Sequence, residues 1–147
     1  MVAPKIATSI PGPGAPAGLP SRRPRPESRS RVALVVDDEP LVRRLVSSIL
    51  RHTGWSVIEA PDGPTALSVA PEALDLLVTD LEMPEISGLD LAERLRERDV
   101  RLPVVMVSGH VDAGDLLARL RGPRAAFVGK PFPVDLLLAS VCSVTAG

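Results

Sequence analysis

Residues 32–38 read VALVVDD, and this stretch decides the fold that we expect for the chain. Five apolar residues in a row indicate a strand that is buried on both faces, as in a parallel sheet. The run stops at Asp37 and Asp38, which places two carboxylates at the carboxyl end of the strand. The folded part of the chain is therefore expected to begin with a strand of an α/β protein.

Four further apolar runs, each followed by apolar residues at helical spacing, extend the pattern to five strand–helix repeats. The additional strands are predicted over residues 55–59, 74–79, 103–107 and 125–128. Right-handed crossovers between parallel strands then give an α/β fold with a doubly wound, five-stranded parallel sheet and five helices.

The helices are predicted from apolar spacing and from their end signals. Apolar residues at helical spacing predict the first helix, namely Leu41, Leu45, Val46 and Ile49. Asp62 is a suitable N-cap for the second helix, because its carboxylate can accept hydrogen bonds from backbone N–H groups. The fourth helix is expected over residues 112–120, and the last helix begins at Pro133.

Charge divides the chain of 147 residues into two parts, although its formal net charge is only -1. Residues 1–31 carry six Lys or Arg against one Glu and are rich in Pro and Gly, whereas residues 32–147 carry 11 basic and 17 acidic residues. A Pro-rich segment buries too little apolar surface to offset its ordering entropy. We expect a disordered basic tail at 1–31, either a solvated leader or a contact for an anionic partner, and one folded domain at 32–147.

Cys142 is the only cysteine, which excludes an internal disulfide and a multi-cysteine zinc site. Its apolar neighbours favour a buried structural thiol. No apolar run approaches the roughly 18–20 residues of a membrane span, and Pro11 and Pro13 interrupt the only candidate signal sequence. The expected location is the cytoplasm.

Polar side chains collect at the carboxyl ends of the predicted strands, where open α/β sheets place their functional sites. Asp37 and Asp38 follow the first strand, Asp80 the third, Ser108 the fourth and Lys130 the fifth. Each residue alone has an ordinary explanation, such as a helix cap or a turn. Three neighbouring carboxylates, however, repel each other unless a hard cation such as Mg²⁺ holds them ionised. Together with the hydroxyl and the ammonium, they predict phosphoryl transfer onto an aspartate.

The same residues lie in stretches that resemble the receiver domain of two-component response regulators, over essentially all of residues 32–144. The matching stretches are LVVDDEP at 34–40, VTDLEMP at 78–84, SG at 87–88, VSG at 107–109 and GKPF at 129–132. The residues around 105–110 and 129–132 are most similar to receivers attached to hybrid sensor kinases. The resemblance implies the flavodoxin-like receiver fold.

The resemblance also implies a role for each matching acidic residue. Asp80 would be the phosphoacceptor. Asp37, Asp38 and Asp80 would form the metal pocket, with Asp38, Asp80 and the backbone carbonyl of Glu82 as direct Mg²⁺ ligands.

Three further residues receive roles from the same resemblance. Ser108 would be the switch hydroxyl, and Lys130 would pair with a phosphoryl oxygen beside a cis Lys130–Pro131 peptide. X-Pro bonds adopt the cis form at low cost. Phe127 occupies the position of the family's aromatic switch, and ordinary core packing is the alternative explanation for it.

The resemblance implies a phosphoacceptor regulator that assists only its own phosphorylation and dephosphorylation. Its phosphoryl group would come from a histidine kinase or a phosphotransfer protein, and its output would be a contact with an unidentified protein, with homodimer formation on phosphorylation left open. No DNA-binding or other output domain is expected after residue 144. The contact face would include the fourth helix, the fifth strand and the last helix, with Val111, Leu116 and Leu117 as an apolar edge.

Two other classes of function share part of this chemistry. A haloacid-dehalogenase-like phosphoaspartyl hydrolase also combines Asp, Ser or Thr, Lys and Mg²⁺, but it places its nucleophile after the first strand and needs a cap domain. A binding-only pseudo-receiver is disfavoured by the complete set of site residues. A flavin carrier is not supported either, because no Gly-rich phosphate loop follows the first strand.

Overall fold

The first apolar stretch forms a central strand of a five-stranded parallel sheet. A computed structural model describes residues 30–109, 118–120 and 124–146 of the chain. The elements are β1 (Val32–Val36), α1 (Pro40–His52), β2 (Ser56–Ala60), α2 (Gly63–Val69), β3 (Leu76–Asp80), α3 (Gly88–Arg98), β4 (Val104–Ser108), β5 (Ala125–Gly129) and α4 (Val134–Thr145). The strand order is β2-β1-β3-β4-β5, and all neighbouring strands are parallel. The predicted α/β fold is confirmed.

Helices cover both faces of the sheet, which explains why the strands are continuous apolar runs. One core layer packs Leu34 of β1 against α3 residues such as Leu91. The other layer joins Val35 of β1 with Leu50 of α1 and Leu137 of α4. Because successive side chains of a strand point to opposite faces, every position of a central strand needs an apolar residue.

The register of the sheet brings the carboxyl ends of the strands to one edge. The residues that end adjacent strands are paired with residues at or near the end of the next strand: Val36 with Thr79, Asp80 with Val107, and Ser108 with Gly129. Side chains that follow β1, β3 and β5 are therefore within reach of one another despite their separation in sequence.

Two of the helices begin at side-chain caps, and the sequence predicts the one at Asp62. The Asp62 carboxylate accepts a hydrogen bond of 2.7 Å from the backbone N–H of Thr65, and this bond lowers the pKa of Asp62. Ser87 Oγ accepts a bond of 3.1 Å from the N–H of Asp90 at the start of α3. These caps fix the positions at which α2 and α3 leave the carboxyl edge of the sheet.

Two predicted segments fall largely outside the described residues. Of the helix expected over 112–120, only the last three residues are described, and Ala118 and Arg119 are helical. The tail is described only from Ser30, so the boundary between tail and domain at residue 31 stays a prediction. Within the described ranges, no helix has the length and apolar character needed to cross a bilayer.

The helix predicted from apolar spacing forms as α1, but two of the four spaced apolar residues are exposed. Leu41 is 78% exposed and Leu45 is 50% exposed, whereas Val46 and Leu50 are buried. The apolar stripe of this helix is wider than the surface that the sheet covers. Apolar spacing identifies the side of a helix that faces the core. It does not show which residues at the border of a wide apolar stripe stay exposed to solvent.

The expected burial of Cys142 is wrong, because its side chain is exposed. The buried residues of α4 are Leu137, Val141 and Val144, which recur at helical spacing on one side. Cys142 follows Val141 directly and is therefore rotated about 100° away from this stripe.

Gly88 offers a direct test of how closely α3 packs against β3. A Cβ at this position would overlap the backbone carbonyl oxygen of Asp80. We expect Gly88→Ala to lower the free energy of unfolding by about 1–3 kcal/mol, the usual cost of overpacking, as measured by urea denaturation. Gly109→Ala is the control, because a Cβ there meets nothing within 4 Å. Equal stability of the two variants would contradict the close packing.

Candidate functional site

Three aspartates meet at the carboxyl edge of the sheet. Asp37 and Asp38 follow β1 directly, and Asp80 is the last residue of β3. Each of them offers a carboxylate oxygen within 4.8 Å of the oxygens of the other two. Asp37 is 3% exposed and Asp80 is 7% exposed, whereas Asp38 is exposed. The predicted cluster therefore forms, with two of its members almost fully buried.

Lys130 directly follows β5 and supplies the positive charge of this cluster. Its ammonium Nζ lies 3.1 Å from Asp37 Oδ2 and 3.6 Å from Asp80 Oδ1. A third carboxylate, Glu39, has its Oε1 3.0 Å from the same nitrogen. The Lys130–Pro131 peptide is cis, as predicted.

The backbone around Asp37 is held by several hydrogen bonds. Asp37 Oδ1 accepts a bond of 2.9 Å from the backbone N–H of Glu39. Arg43 Nη1 donates to the carbonyl oxygen of Asp37 at 2.7 Å, while Arg43 Nε pairs with Glu59 at 3.4 Å. The N-cap residue of α1 is Glu39, without a side-chain cap bond. Neither Asp37 nor Asp38 is thus used as an ordinary helix cap.

Asp80 is held in place by its neighbours along the chain. The N–H of Leu81 donates to the carbonyl of Val107 at 3.0 Å, and the N–H of Gly88 donates to the carbonyl of Leu81 at 2.7 Å. The hydroxyl of Thr79 donates to the carbonyl oxygen of Asp80 at 2.9 Å. These bonds fix the end of β3 against both β4 and the start of α3.

The pKa of Asp80 is higher than that of an ordinary carboxylate. Burial raises the pKa of Asp80 to about 6, and the negative charge of Asp37 adds to this increase. The charge of Lys130 and a hydrogen bond from the backbone of Glu82 act in the opposite direction without cancelling it. Asp80 is therefore ionised at neutral pH, but its negative charge is only partly compensated.

The pKa of Lys130 is also raised in this environment, but for a different reason. Burial alone would lower the pKa of its ammonium, but the hydrogen bonds to Glu39 and Asp37 and the charges of Asp37 and Asp80 outweigh this effect. The pKa of Lys130 is raised, so the side chain remains a cation throughout the neutral range.

Ser108 lies on β4, next to β3, and Phe127 lies on β5, on the far side of β4. Ser108 ends β4 and is 1% exposed, and its carbonyl oxygen accepts a hydrogen bond of 2.7 Å from the N–H of Lys130. Phe127 lies within β5, is half-buried and packs against the core layer of α2 and α3. The switch roles of both residues stay predictions. Glu82 is exposed two residues after Asp80, and the role of its carbonyl also stays a prediction.

Two residues of the site were not predicted from the sequence. Glu39 directly follows the acidic pair, and this adjacency was the one available signal for it. Arg43 lies in the first turn of α1 directly before Arg44, and nothing in the local sequence distinguishes the two. Its bond to the Asp37 carbonyl depends on how α1 leaves the sheet.

The acidic cluster has the donor chemistry that a hard divalent cation needs. Its ligand atoms are oxygens of Asp37, Asp38 and Asp80, close enough to be shared by one ion. Oxygen-only sites of this kind suit Mg²⁺, which commonly retains several water ligands. The residues present therefore fit the predicted metal.

A cavity of about 400 Å³ lies at the opposite, amino-terminal edge of the sheet. It is lined by Arg31, Trp55 and Arg124 together with residues that precede β3 and β4. The Arg31 guanidinium lies 4.2 Å from the centre of the Trp55 ring. This cavity is remote from the acidic cluster and does not contribute to its chemistry.

Comparison with known proteins identifies the family to which the chain is similar. A family model described as the response regulator receiver domain matches residues 33–142. Among curated proteins, the transcriptional regulatory protein TcrX of Mycobacterium tuberculosis is 35% identical over 112 residues, which covers 76% of this chain and 48% of that protein. The chemotaxis protein CheY of Pseudomonas aeruginosa is 36% identical over 108 residues, covering 71% of this chain and 87% of CheY.

Solved structures with the same fold include receivers of several kinds. The response regulator TrrA of Thermotoga maritima, in complex with Mg²⁺ and BeF, has a TM-score of 0.68 and 30% identity, over 78% of this chain and 98% of that one. The receiver domain of the hybrid histidine kinase CckA has a TM-score of 0.65 and 32% identity, over 78% and 98% of the two chains. This chain spans about half or less of the first curated relatives that it matches.

The raised pKa of Asp80 predicts a pH-dependent stability. Its pKa rises from an ordinary 3.8 to about 6 in the folded chain, so the folded state binds an extra proton between these values and loses stability as pH rises through them. In EDTA, we expect Asp80→Asn to raise the free energy of unfolding near neutral pH by about 1–2 kcal/mol, after allowance for solvent screening.

The gain from Asp80→Asn should shrink as the pH is lowered from about 7 to about 4, because wild-type Asp80 becomes protonated. Denaturation curves at several pH values measure the difference. Glu72→Gln, which removes an exposed carboxylate on the α2–β3 connection, is the control. A gain that does not change with pH would refute the assignment of this titration to Asp80.

Proposed function

Because the chain belongs to the response regulator receiver domain family, we propose that it accepts a phosphoryl group on Asp80 from a histidine kinase or a phosphotransfer protein. The observation that carries this proposal is the meeting of Asp37, Asp38 and Asp80 within 4.8 Å, with Lys130 in contact with two of them. The module acts as a phosphoacceptor regulator and assists only its own phosphorylation and dephosphorylation.

The hydrogen bonds of the site favour Asp80 over its neighbours as the nucleophile. Both oxygens of Asp37 have a partner, namely the Glu39 N–H for Oδ1 and Lys130 for Oδ2. Asp38 lies exposed at the rim. Asp80 is nearly buried, and its Oδ1 lies 3.6 Å from Lys130, beyond a strong hydrogen bond. This contact and the hydrogen bond from the Glu82 backbone do not offset the burial of Asp80, which leaves its carboxylate the more reactive nucleophile.

The transfer requires no redox chemistry. An oxygen of ionised Asp80 forms a bond to phosphorus, and the P–N bond of a phosphohistidine breaks, so that the imidazole nitrogen leaves with the electron pair. Lys130 and the hydroxyl of Ser108 supply a positive charge and a hydrogen-bond donor for the phosphoryl oxygens. The ammonium of Lys130 lies 3.6 Å from Asp80 Oδ1, so its charge is close to the position at which the phosphoryl oxygens gain negative charge.

Mg²⁺ is the cofactor that we propose for this pocket. Asp37, Asp38, Asp80 and the backbone carbonyl of Glu82 would hold it. When bound, the ion supplies positive charge that offsets the repulsion between the carboxylates and the phosphoryl group. The structure of TrrA with Mg²⁺ and BeF supports this choice for the family.

The signal is proposed to leave the site through β5 and the surfaces beside it. Ser108 ends β4, and Phe127 lies on β5, which is the edge strand of the sheet. The other contributors that the sequence suggested, Val111, Leu116 and Leu117, lie outside the described residues. The output is a contact with a downstream protein, or with a second copy on phosphorylation, and the cytoplasm is the compartment that we propose.

Phosphorylation with a small phosphodonor tests the assignment of Asp80. In Mg²⁺ and acetyl phosphate, wild type should gain the mass of one phosphoryl group in intact mass spectrometry, and Asp80→Asn should gain none. EDTA should abolish the gain. Asp90→Asn, which alters an exposed aspartate of α3, should behave as wild type. A gain that persists in Asp80→Asn would overturn the site.

Replacement of Phe127 tests the proposed switch separately from the chemistry. Phe127→Ala should leave the phosphorylated fraction unchanged, because the ring belongs to the core layer of α2 and α3 and not to the acidic cluster. It should reduce the amide chemical-shift changes that beryllofluoride causes along β5 and α4. Changes equal to those of wild type would assign Phe127 to core packing alone.

A further inference from the structure

Lys130 is bound more closely by Glu39 and Asp37 than by the proposed phosphoacceptor. The distances from Nζ are 3.0 Å to Glu39, 3.1 Å to Asp37 and 3.6 Å to Asp80. An ammonium has three N–H donors, and hydrogen bonds weaken beyond about 3.2 Å. Two of the three donors are therefore directed to residues other than Asp80.

Glu39 and Asp37 differ in how easily each can release this ammonium. The Asp37 side chain is 5% exposed, so loss of its cation would leave a buried carboxylate poorly compensated. The Glu39 side chain is 61% exposed, and water can replace Lys130 at little cost. The backbone of Glu39 stays fixed in either case, because its N–H is bound to Asp37 Oδ1.

We propose that Glu39 is a positioning residue that holds Lys130 in the unphosphorylated state and releases it when Asp80 carries a phosphoryl group. The inference rests on the proposed function. A phosphoryl group brings about 1.5–2 negative charges, which attract the ammonium more strongly than a solvated carboxylate does. Glu39 thus stabilises the resting state and restrains phosphorylation of the site.

Beryllofluoride provides the first test, as a probe for the phosphoryl group on Asp80. In the full chain with Mg²⁺, Glu39→Gln should bind beryllofluoride about two- to fivefold more tightly than wild type, the range expected for loss of one exposed ion pair. Glu39→Asp should bind as tightly as Glu39→Gln, because its shorter side chain cannot reach Lys130. Glu85→Gln, which removes an exposed carboxylate on the β3–α3 loop, should match wild type.

The nitrogen of Lys130 itself provides a second test, without metal. The chain contains only two lysines, Lys5 and Lys130, so selective ¹⁵N labelling gives two ammonium signals, which Lys5→Arg assigns. In EDTA, Glu39→Gln and Glu39→Asp should both move the Lys130 signal, and Glu85→Gln should leave it in place.

The outcomes separate this inference from the function on which it rests. If wild type fails to bind beryllofluoride, the proposed function fails. If wild type binds and Glu39→Gln matches it in both measurements, only the role of Glu39 is refuted. If Glu39→Asp behaves as wild type while Glu39→Gln binds more tightly, simple charge repulsion explains the effect and the holding role is again refuted.

Discussion

Two buried carboxylates beside a single ammonium form the interaction on which the rest of this structure depends. Asp37 and Asp80 are both less than a tenth exposed, and like charges in such surroundings are unfavourable. Lys130 offsets part of this unfavourable energy. The part that it does not offset raises the pKa of Asp80. The site therefore holds negative charge that further cations can still stabilise. This uncompensated charge is what the proposed metal and phosphoryl group would require of the site.

The parallel sheet brings these charged residues together. Lys130 and Glu39 lie 91 positions apart in sequence, and their contact exists only because the ends of β1 and β5 reach the same edge. The backbone bond from Lys130 to the Ser108 carbonyl ties β5 to β4 at that edge, and Leu81 ties β3 to Val107 in β4. Apolar layers on both faces of the sheet hold the strands in this register.

The sequence was sufficient to predict the strands and the acidic cluster, because both depend on local pattern and on one topological rule. A continuous apolar run that ends in an aspartate indicates a buried parallel strand and also the edge at which its acid lies. The exposed positions of Leu41 and Cys142 were not predictable in this way. Spacing along a helix gives its inward side, whereas the boundary of that side depends on how much of the helix the sheet covers.

The contacts of Glu39 and Arg43 were missed for a related reason. Both are long, flexible side chains whose partners are set by the direction in which α1 leaves the sheet. No spacing within the local sequence encodes that direction. Family resemblance also contributed little to these two residues, since it concerned the positions that carry the chemistry and not those that support them.

The position of Trp55 determines what the intrinsic fluorescence of this protein can report. Trp55 is the only tryptophan, and the chain has no tyrosine. It is buried just before β2, with Arg31 over its ring, at the edge of the sheet opposite to Asp80. Its emission should thus follow global unfolding, while ligands bound among the aspartates leave it largely unaffected. Folding and site occupancy can accordingly be observed as two independent signals in one sample.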